Sequence, residues 1–148
     1  MNGYSYGAKS MSKLKTCDPV LRAIAERALE LSPYDITIVH GWRGEEVQNA
    51  LQESGASKKR WPGSKHNHTK DEDGVTPCSL AIDFAPWVNG TIPWDDTHVF
   101  ACIAGCFLSA ANEMRVSLRW GGDWDSDGST KDQTLMDWGH VELRKRGG

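Results

Sequence analysis

The sequence predicts a single small α+β domain, with helices packed on a mainly antiparallel sheet. Three observations lead there. The 148 residues are the size of one domain and are enough to bury a core without disulfides. Three segments carry apolar residues at helical spacing, and four short runs are β-branched or alternating. Finally, the two kinds of segment are mixed along the chain without strict βαβ alternation.

Asp18-Pro19 opens the first helix, with Asp as the cap and Pro at the first helical position. Leu21, Ile24, Ala25 and Ala28 form its inward face, and Ser32-Pro33 stops it because a residue before Pro leaves the helical region. Ile36-Thr37-Ile38-Val39 reads as a strand broken by Gly41. Glu45 to Glu53 reads as a second helix, with Val47, Ala50 and Leu51 inward. From Gly55 to Pro77 the chain is polar, rich in turn residues and without a period, and so long a stretch in a compact domain is usually functional.

Leu80 to Phe84 is the next strand and is expected to end at Ala85-Pro86. Asp95, Asp96 and Thr97 are candidate caps for a helix reaching about Arg115, with Val99, Ile103, Cys106 and Leu108 on its apolar face. Val116, Leu118 and Trp120 alternate with polar residues as a further strand, and His140-Val141-Glu142-Leu143 is the last. Between them, Gly121 to Gly139 is a loop rich in Gly and Asp.

Charge and composition exclude several kinds of function. A formal net charge of −3 lacks the basic balance of a nucleic-acid binder. No stretch approaches the ~20 apolar residues of a membrane span. The first 16 residues have no apolar run, so no secretory signal is expected. None of the four cysteines forms a CxxC pair, and buried reduced thiols are the expectation. Trp outnumbers Tyr and Phe together, 7 against 3 and 3, which suggests a cleft lined by indoles.

Three segments place a metal-capable residue at the start or end of a strand: Ser64-Lys65-His66, Ala81-Ile82-Asp83 and Asp137-Trp138-Gly139-His140. Two His and one Asp suit zinc with one position left open for water, the arrangement amide hydrolysis needs. Asp83 is the informative member, since a carboxylate in an apolar strand is costly unless paired or bound to metal. Facing solvent at the strand end is its alternative. Asp137, three residues before His140, can converge on the same site and act as general base and acid; its alternative is a turn cap. Arg43 can bind a substrate carboxylate or oxyanion, or pair with Glu45 or Glu46 at the surface.

In one order, the chain carries Thr37-Ile38-Val39-His40-Gly41-Trp42-Arg43, Ser64-Lys65-His66, Ala81-Ile82-Asp83-Phe84-Ala85-Pro86, Trp120-Gly121-Gly122-Asp123-Trp124 and Asp137-Trp138-Gly139-His140-Val141-Glu142-Leu143. That order resembles the VanY-type zinc peptidases, which share the hedgehog/DD-peptidase-like fold, and most closely the bacteriophage L-alanyl-D-glutamate endopeptidases, or endolysins. The resemblance covers about residues 18 to 143 and is specific as a set. It implies one zinc ion on His66, Asp83 and His140, Asp137 as catalytic acid/base, and Arg43 as a substrate or transition-state contact. It also implies cleavage of the L-Ala–D-Glu bond of the peptidoglycan stem peptide in host lysis. The chain departs from the family in the 16 residues between His66 and Asp83, so His68 competes with His66 as the ligand. Cys78, in the same insertion, is a lesser candidate.

Asp123-Trp124-Asp125-Ser126-Asp127-Gly128 is half of a calcium loop, with Asp123, Asp125 and Asp127 as ligands. The twelfth position is Thr134 rather than Glu, so a weak or regulatory calcium site stands against a plain polar loop. Other readings are a D-Ala-D-Ala carboxypeptidase, a non-catalytic zinc-containing peptidoglycan-binding module, and a nuclease prompted by His66-Asn67-His68. Residues 1–148 are expected to be one monomeric catalytic domain without a cell-wall-binding domain, made in the host cytoplasm. It would reach the wall through a holin, and the basic tail Arg144 to Gly148 would be solvated.

Overall fold

Two residue patterns decide the architecture: strands whose buried Ile, Val, Leu and Phe side chains share one face, and two helices that cover that face. The computed structural model describes residues 2–123 and 137–144. Its elements run α1 (Ala8–Leu14), α2 (Pro19–Leu31), β1 (Asp35–His40), α3 (Glu45–Glu53), a 3-10 turn (Lys65–Asn67), β2 (Ala81–Trp87), α4 (Thr97–Glu113), β3 (Leu118–Trp120) and β4 (His140–Leu143). The four strands form one sheet in the order β1-β2-β4-β3, each neighbouring pair antiparallel. The expected α+β class is therefore the observed one.

Ile36, Ile38, Ile82, Phe84, Val141 and Leu118 are all buried, and α2 and α4 pack on each other beside the sheet. Phe84 stacks on Phe107 of α4, with centroids 4.8 Å apart and planes 22° apart. Leu21, Ile24, Ala25 and Ala28 of α2 are fully buried, as their spacing predicts. Asp18 caps that helix by accepting from the Val20 N–H at 2.9 Å.

Several expectations need correction. The face α4 buries is centred on Phe100, Ile103 and Phe107, while Val99, Cys106 and Leu108 lie only partly buried at its margins. In α3 the inward residue is Gln48, fully buried, whereas Val47 is half exposed. The apolar period misled there because Gln48 spends its amide on hydrogen bonds. Strand β2 does not stop at Ala85-Pro86 but runs through Trp87. Its Pro86 is tolerated because β4 pairs only with residues 81 to 83, leaving an edge on which no N–H is needed. α1 lies in a segment read as plain polar; it buries only Ser10 and Leu14, too little for a visible period.

Cys17 and Cys78 are buried free thiols, as expected, but Cys102 is exposed. Burial pushes the Cys17 thiol up to about 12, so it is an inert core group. Among the described residues, no helix is long and apolar enough to cross a membrane.

Candidate metal centre and active site

The face of the sheet away from the helices is polar, and strand register assembles its residues. Directly opposed residues of antiparallel strands project to the same side. Asp83 of β2 stands opposite His140 of β4, and a register shift after Ile38 sets His40 of β1 opposite Asp83 on its other flank. One row of the sheet thus reads His40, Asp83, His140. The next row reads Ala81, Glu142 and Arg119.

His66 descends onto this face from the 3-10 turn. Ser64 caps that turn by accepting from the His66 N–H, and Asn67 returns a bond to the Ser64 N–H. The backbone then locks it in place: Leu80 N–H donates to the Lys65 carbonyl at 3.0 Å, and Arg43 N–H to the His66 carbonyl at 2.9 Å. The polar stretch from Gly55 to Pro77 therefore contains the turn that delivers a ligand, a local cap invisible to periodicity.

His66, Asp83 and His140 each offer a ligand atom, and these atoms lie within 4.8 Å of one another. The ring nitrogens that point away are committed. His66 Nδ1–H donates to the Gly41 carbonyl at 2.7 Å, and His140 Nε2–H to Glu142 Oε1 at 2.9 Å. Gly41 can hold that carbonyl there only as glycine, because a Cβ would sit 2.4 Å from the Lys13 carbonyl oxygen.

With Nδ1–H so used, a neutral His66 presents the bare lone pair of Nε2 to Asp83 Oδ1 at 3.2 Å. Two acceptors facing each other at that distance call for a cation between them. Burial keeps His66 below its ordinary value despite the neighbouring carboxylate. His140 Nδ1 stands 2.9 Å from the same Asp83 oxygen. Burial works against its charge, yet hydrogen bonds to Asp83 and Glu142 raise it to about 9. Burial would raise Asp83 too, but His66 and hydrogen bonds from His140 and His40 hold its carboxyl well below the usual range. The donor set of two imidazoles and one carboxylate, with both outer nitrogens fixed, fits a divalent transition metal such as zinc.

Asp83 Oδ2 is held by the Arg43 guanidinium. Arg43 is nearly buried and does not pair with Glu45 or Glu46; it orients the carboxylate so that Oδ1 faces the two imidazoles. Glu142 Oε2 accepts from Arg119 at 2.8 Å and lies 3.1 Å from Lys65 Nζ. Burial opposes its charge, and His140 and Arg119 outweigh that to hold it far below the usual carboxylate range.

The site opens into a cavity of about 620 Å³, whose wall includes Arg43, His66, Asp137 and His140. Asp137 is anchored by its backbone N–H, which donates to the Gly121 carbonyl at 2.9 Å, while the Gly121 N–H donates to the His140 carbonyl at 2.8 Å. A Cβ on Gly121 would come within 2.2 Å of the Asp137 carbonyl oxygen, so the close crossing demands glycine. Desolvation of the Asp137 carboxyl, and then repulsion from Asp83, raise it above the ordinary aspartate value.

The other sequence candidates lie elsewhere. His68 turns its Nδ1 to the Cys78 carbonyl at 3.0 Å and its Nε2 towards Asp71, away from the triad. Cys78 faces Asp18. Of the calcium-like ligands, Asp123 is described, with its N–H on the Trp120 carbonyl; Asp125, Asp127 and Thr134 fall outside the described residues, as does the tail beyond Arg144. The indole-lined cleft is not found: no described Trp lines the cavity. Trp120 is core and packs on Trp138, Trp42 meets Trp61 edge-on, and Trp94 lies on Phe100. Indoles are large enough to be drawn first to packing, whereas the cavity wall is charged.

Sequence reasoning gave no role to His40, Gln48 or Glu142. The signal for Glu142 was present: His140-x-Glu142 in a strand places both on one face.

Comparison with known proteins identifies the family and the fold. The chain is 39% identical over 145 residues to the L-alanyl-D-glutamate peptidase of Escherichia phage T5, covering 95% of this chain and 98% of that one. The crystal structure of the Serratia marcescens L-Ala D-Glu endopeptidase ChiX shares the fold, with a TM-score of 0.73 at 24% identity over 94% of this chain and 90% of that one. The profile of the phage L-alanyl-D-glutamate peptidases matches residues 2–144, and the chain belongs to that family.

Proposed function

We propose that this protein is a zinc-dependent endopeptidase that cuts the L-Ala–D-Glu bond of the peptidoglycan stem peptide and serves a phage in host lysis. The observation that carries the reading is the convergence of His66, Asp83 and His140 on one point at the wall of a cavity that Arg43 and Asp137 also line. A zinc ion held by those three side chains supplies a Lewis acid for the scissile carbonyl and for water.

The chain's own groups do the rest. Asp137, whose carboxyl is raised above the ordinary aspartate value by burial and by Asp83, accepts the proton of the attacking water and returns it to the departing glutamyl nitrogen. Arg43 and Glu142 hold Asp83 and His140 in the orientation that leaves their ligand atoms free. A purely binding module would have no use for a carboxyl poised in this way, which favours an enzyme. Access to the wall would come through a holin, and the described domain would act alone, as a monomer.

The test is digestion of purified peptidoglycan followed by mass spectrometry of the fragments. The expected products carry a new amino terminus on Glu, are absent after chelation and return with zinc. Fragments ending elsewhere, or cleavage indifferent to chelation, would overturn the proposal.

A further inference from the structure

The chain is acidic as a whole, but its cavity is not. Five cations, Arg43, Lys58, Lys59, Lys65 and Arg119, line it against the carboxylates of Asp137 and Glu142. Three of the five are engaged: Arg43 on Asp83, Lys65 and Arg119 on Glu142. Lys58 and Lys59 have no ion pair among the described residues, and both are exposed on the cavity wall.

Their loop is braced rather than loose. Gln48, fully buried, donates through Nε2 to the Lys59 carbonyl at 2.6 Å and to Ser57 Oγ at 3.0 Å. Its Oε1 accepts from Asn67 at 3.2 Å and from Arg43 at 3.4 Å. One amide therefore fixes the lysine loop, the turn bearing His66 and the arginine that orients Asp83 to each other. A buried polar side chain that satisfies four partners specifies one arrangement.

The proposed substrate supplies the matching charge. A glutamyl residue whose nitrogen is acylated by alanine can pass only one of its two carboxyls into the rest of the peptide. The other stays free, a few bonds from the scissile nitrogen. Resting on the functional reading above, we infer that Lys58 and Lys59 form the subsite for that free carboxylate, making the enzyme selective for a glutamyl over an amidated residue after the scissile bond.

The test uses two synthetic stem peptides of one sequence, the free carboxylate of one being a primary amide in the other. Zinc-loaded wild type and the double variant Lys58→Ala/Lys59→Ala are compared by the ratio of kcat/KM on the two peptides. Wild type should prefer the carboxylate by about tenfold, allowing for solvent screening of exposed lysines, with the difference in KM rather than kcat. In the double variant the ratio should fall to about one to threefold, and Lys58→Arg/Lys59→Arg should restore it. Loss of a merely structural role would lower both rates together and keep the ratio. A wild type without preference, or a ratio unchanged in the alanine variant, overturns the inference while leaving the peptidase intact. Failure of wild type to cut either peptide overturns the functional reading and the inference with it.

Discussion

Replacing Glu142 by Gln isolates what a residue that touches no ligand atom contributes to the metal. Glu142 is isosteric with Gln, and its side chain is only 8% exposed, so the change removes charge with little change of volume. It makes three charge-assisted contacts, to His140 at 2.9 Å, Arg119 at 2.8 Å and Lys65 at 3.1 Å. A hydrogen bond to a charged group is worth about 1.5–3 kcal/mol, and the amide keeps the one to His140 in neutral form. Partners that orient a ligand histidine typically change metal affinity by about 10- to 100-fold. The expected result for Glu142→Gln is therefore a zinc dissociation constant raised by about tenfold or more, about 1.4 kcal/mol. The assay is competition with a chelator of known affinity at fixed pH, with circular dichroism to show that the fold is retained. An unchanged affinity in a folded variant would refute the claim that the negative charge of Glu142 strengthens His140 as a ligand.

Three further outcomes follow from the same geometry. His66→Ala should abolish stoichiometric zinc binding and His68→Ala should retain it, measured by metal analysis after dialysis; the reverse would reassign the ligand. Phe107→Ala, which empties the stack under Phe84, should cost about 3–5 kcal/mol in denaturant unfolding and lower Tm by roughly 6–20 °C. In the metal-free protein, His66 has its pKa lowered from 6.5, so stability falls as pH drops below that value and the unfolded chain takes up the proton first. Glu142, lowered from 4.5, adds a further loss as pH falls through its folded value. His140 is raised from 6.5 to about 9, so its contribution is complete below 6.5 and gone as pH rises through about 9. From the two histidines alone stability should peak near pH 6.5, with Asp137, raised from 3.8, adding a loss as pH rises through its folded value, and zinc should remove the alkaline decline by displacing the His140 proton. Denaturant midpoints across pH with and without metal check this.

How much of this was legible in the sequence depends on the range of the interaction involved. The caps and faces of α2 and the extent of β4 follow from local chemistry, and Asp83 stood out because a carboxylate is out of place in an apolar strand. The alignment of Asp83 with His140 rests on a strand pairing 57 residues apart in sequence, which no local pattern encodes. The family resemblance implied that the two residues share one zinc ion, and the sheet register sets them side by side. The turn bearing His66 is held by backbone bonds to Arg43 and Leu80, and α1 by Ser10 Oγ accepting from the Ile38 N–H, so neither has an apolar period to reveal it. Gln48 was overlooked for the opposite reason: beside Val47, a polar residue does not look like the inward one. The tryptophan excess pointed to a cleft, whereas Trp120 and Trp138 pack together, Trp42 meets Trp61, Trp87 and Trp94 are exposed, and the cavity took the charges.

Holding the metal and moving the proton fall to different residues, and one paired measurement addresses that division: bound zinc and peptidoglycan turnover, determined side by side for Asp137→Ala and His140→Ala. The prediction is that Asp137→Ala keeps zinc at wild-type stoichiometry and loses turnover, while His140→Ala loses both. A fully active Asp137→Ala, or a His140→Ala that still carried zinc and cut, would contradict it.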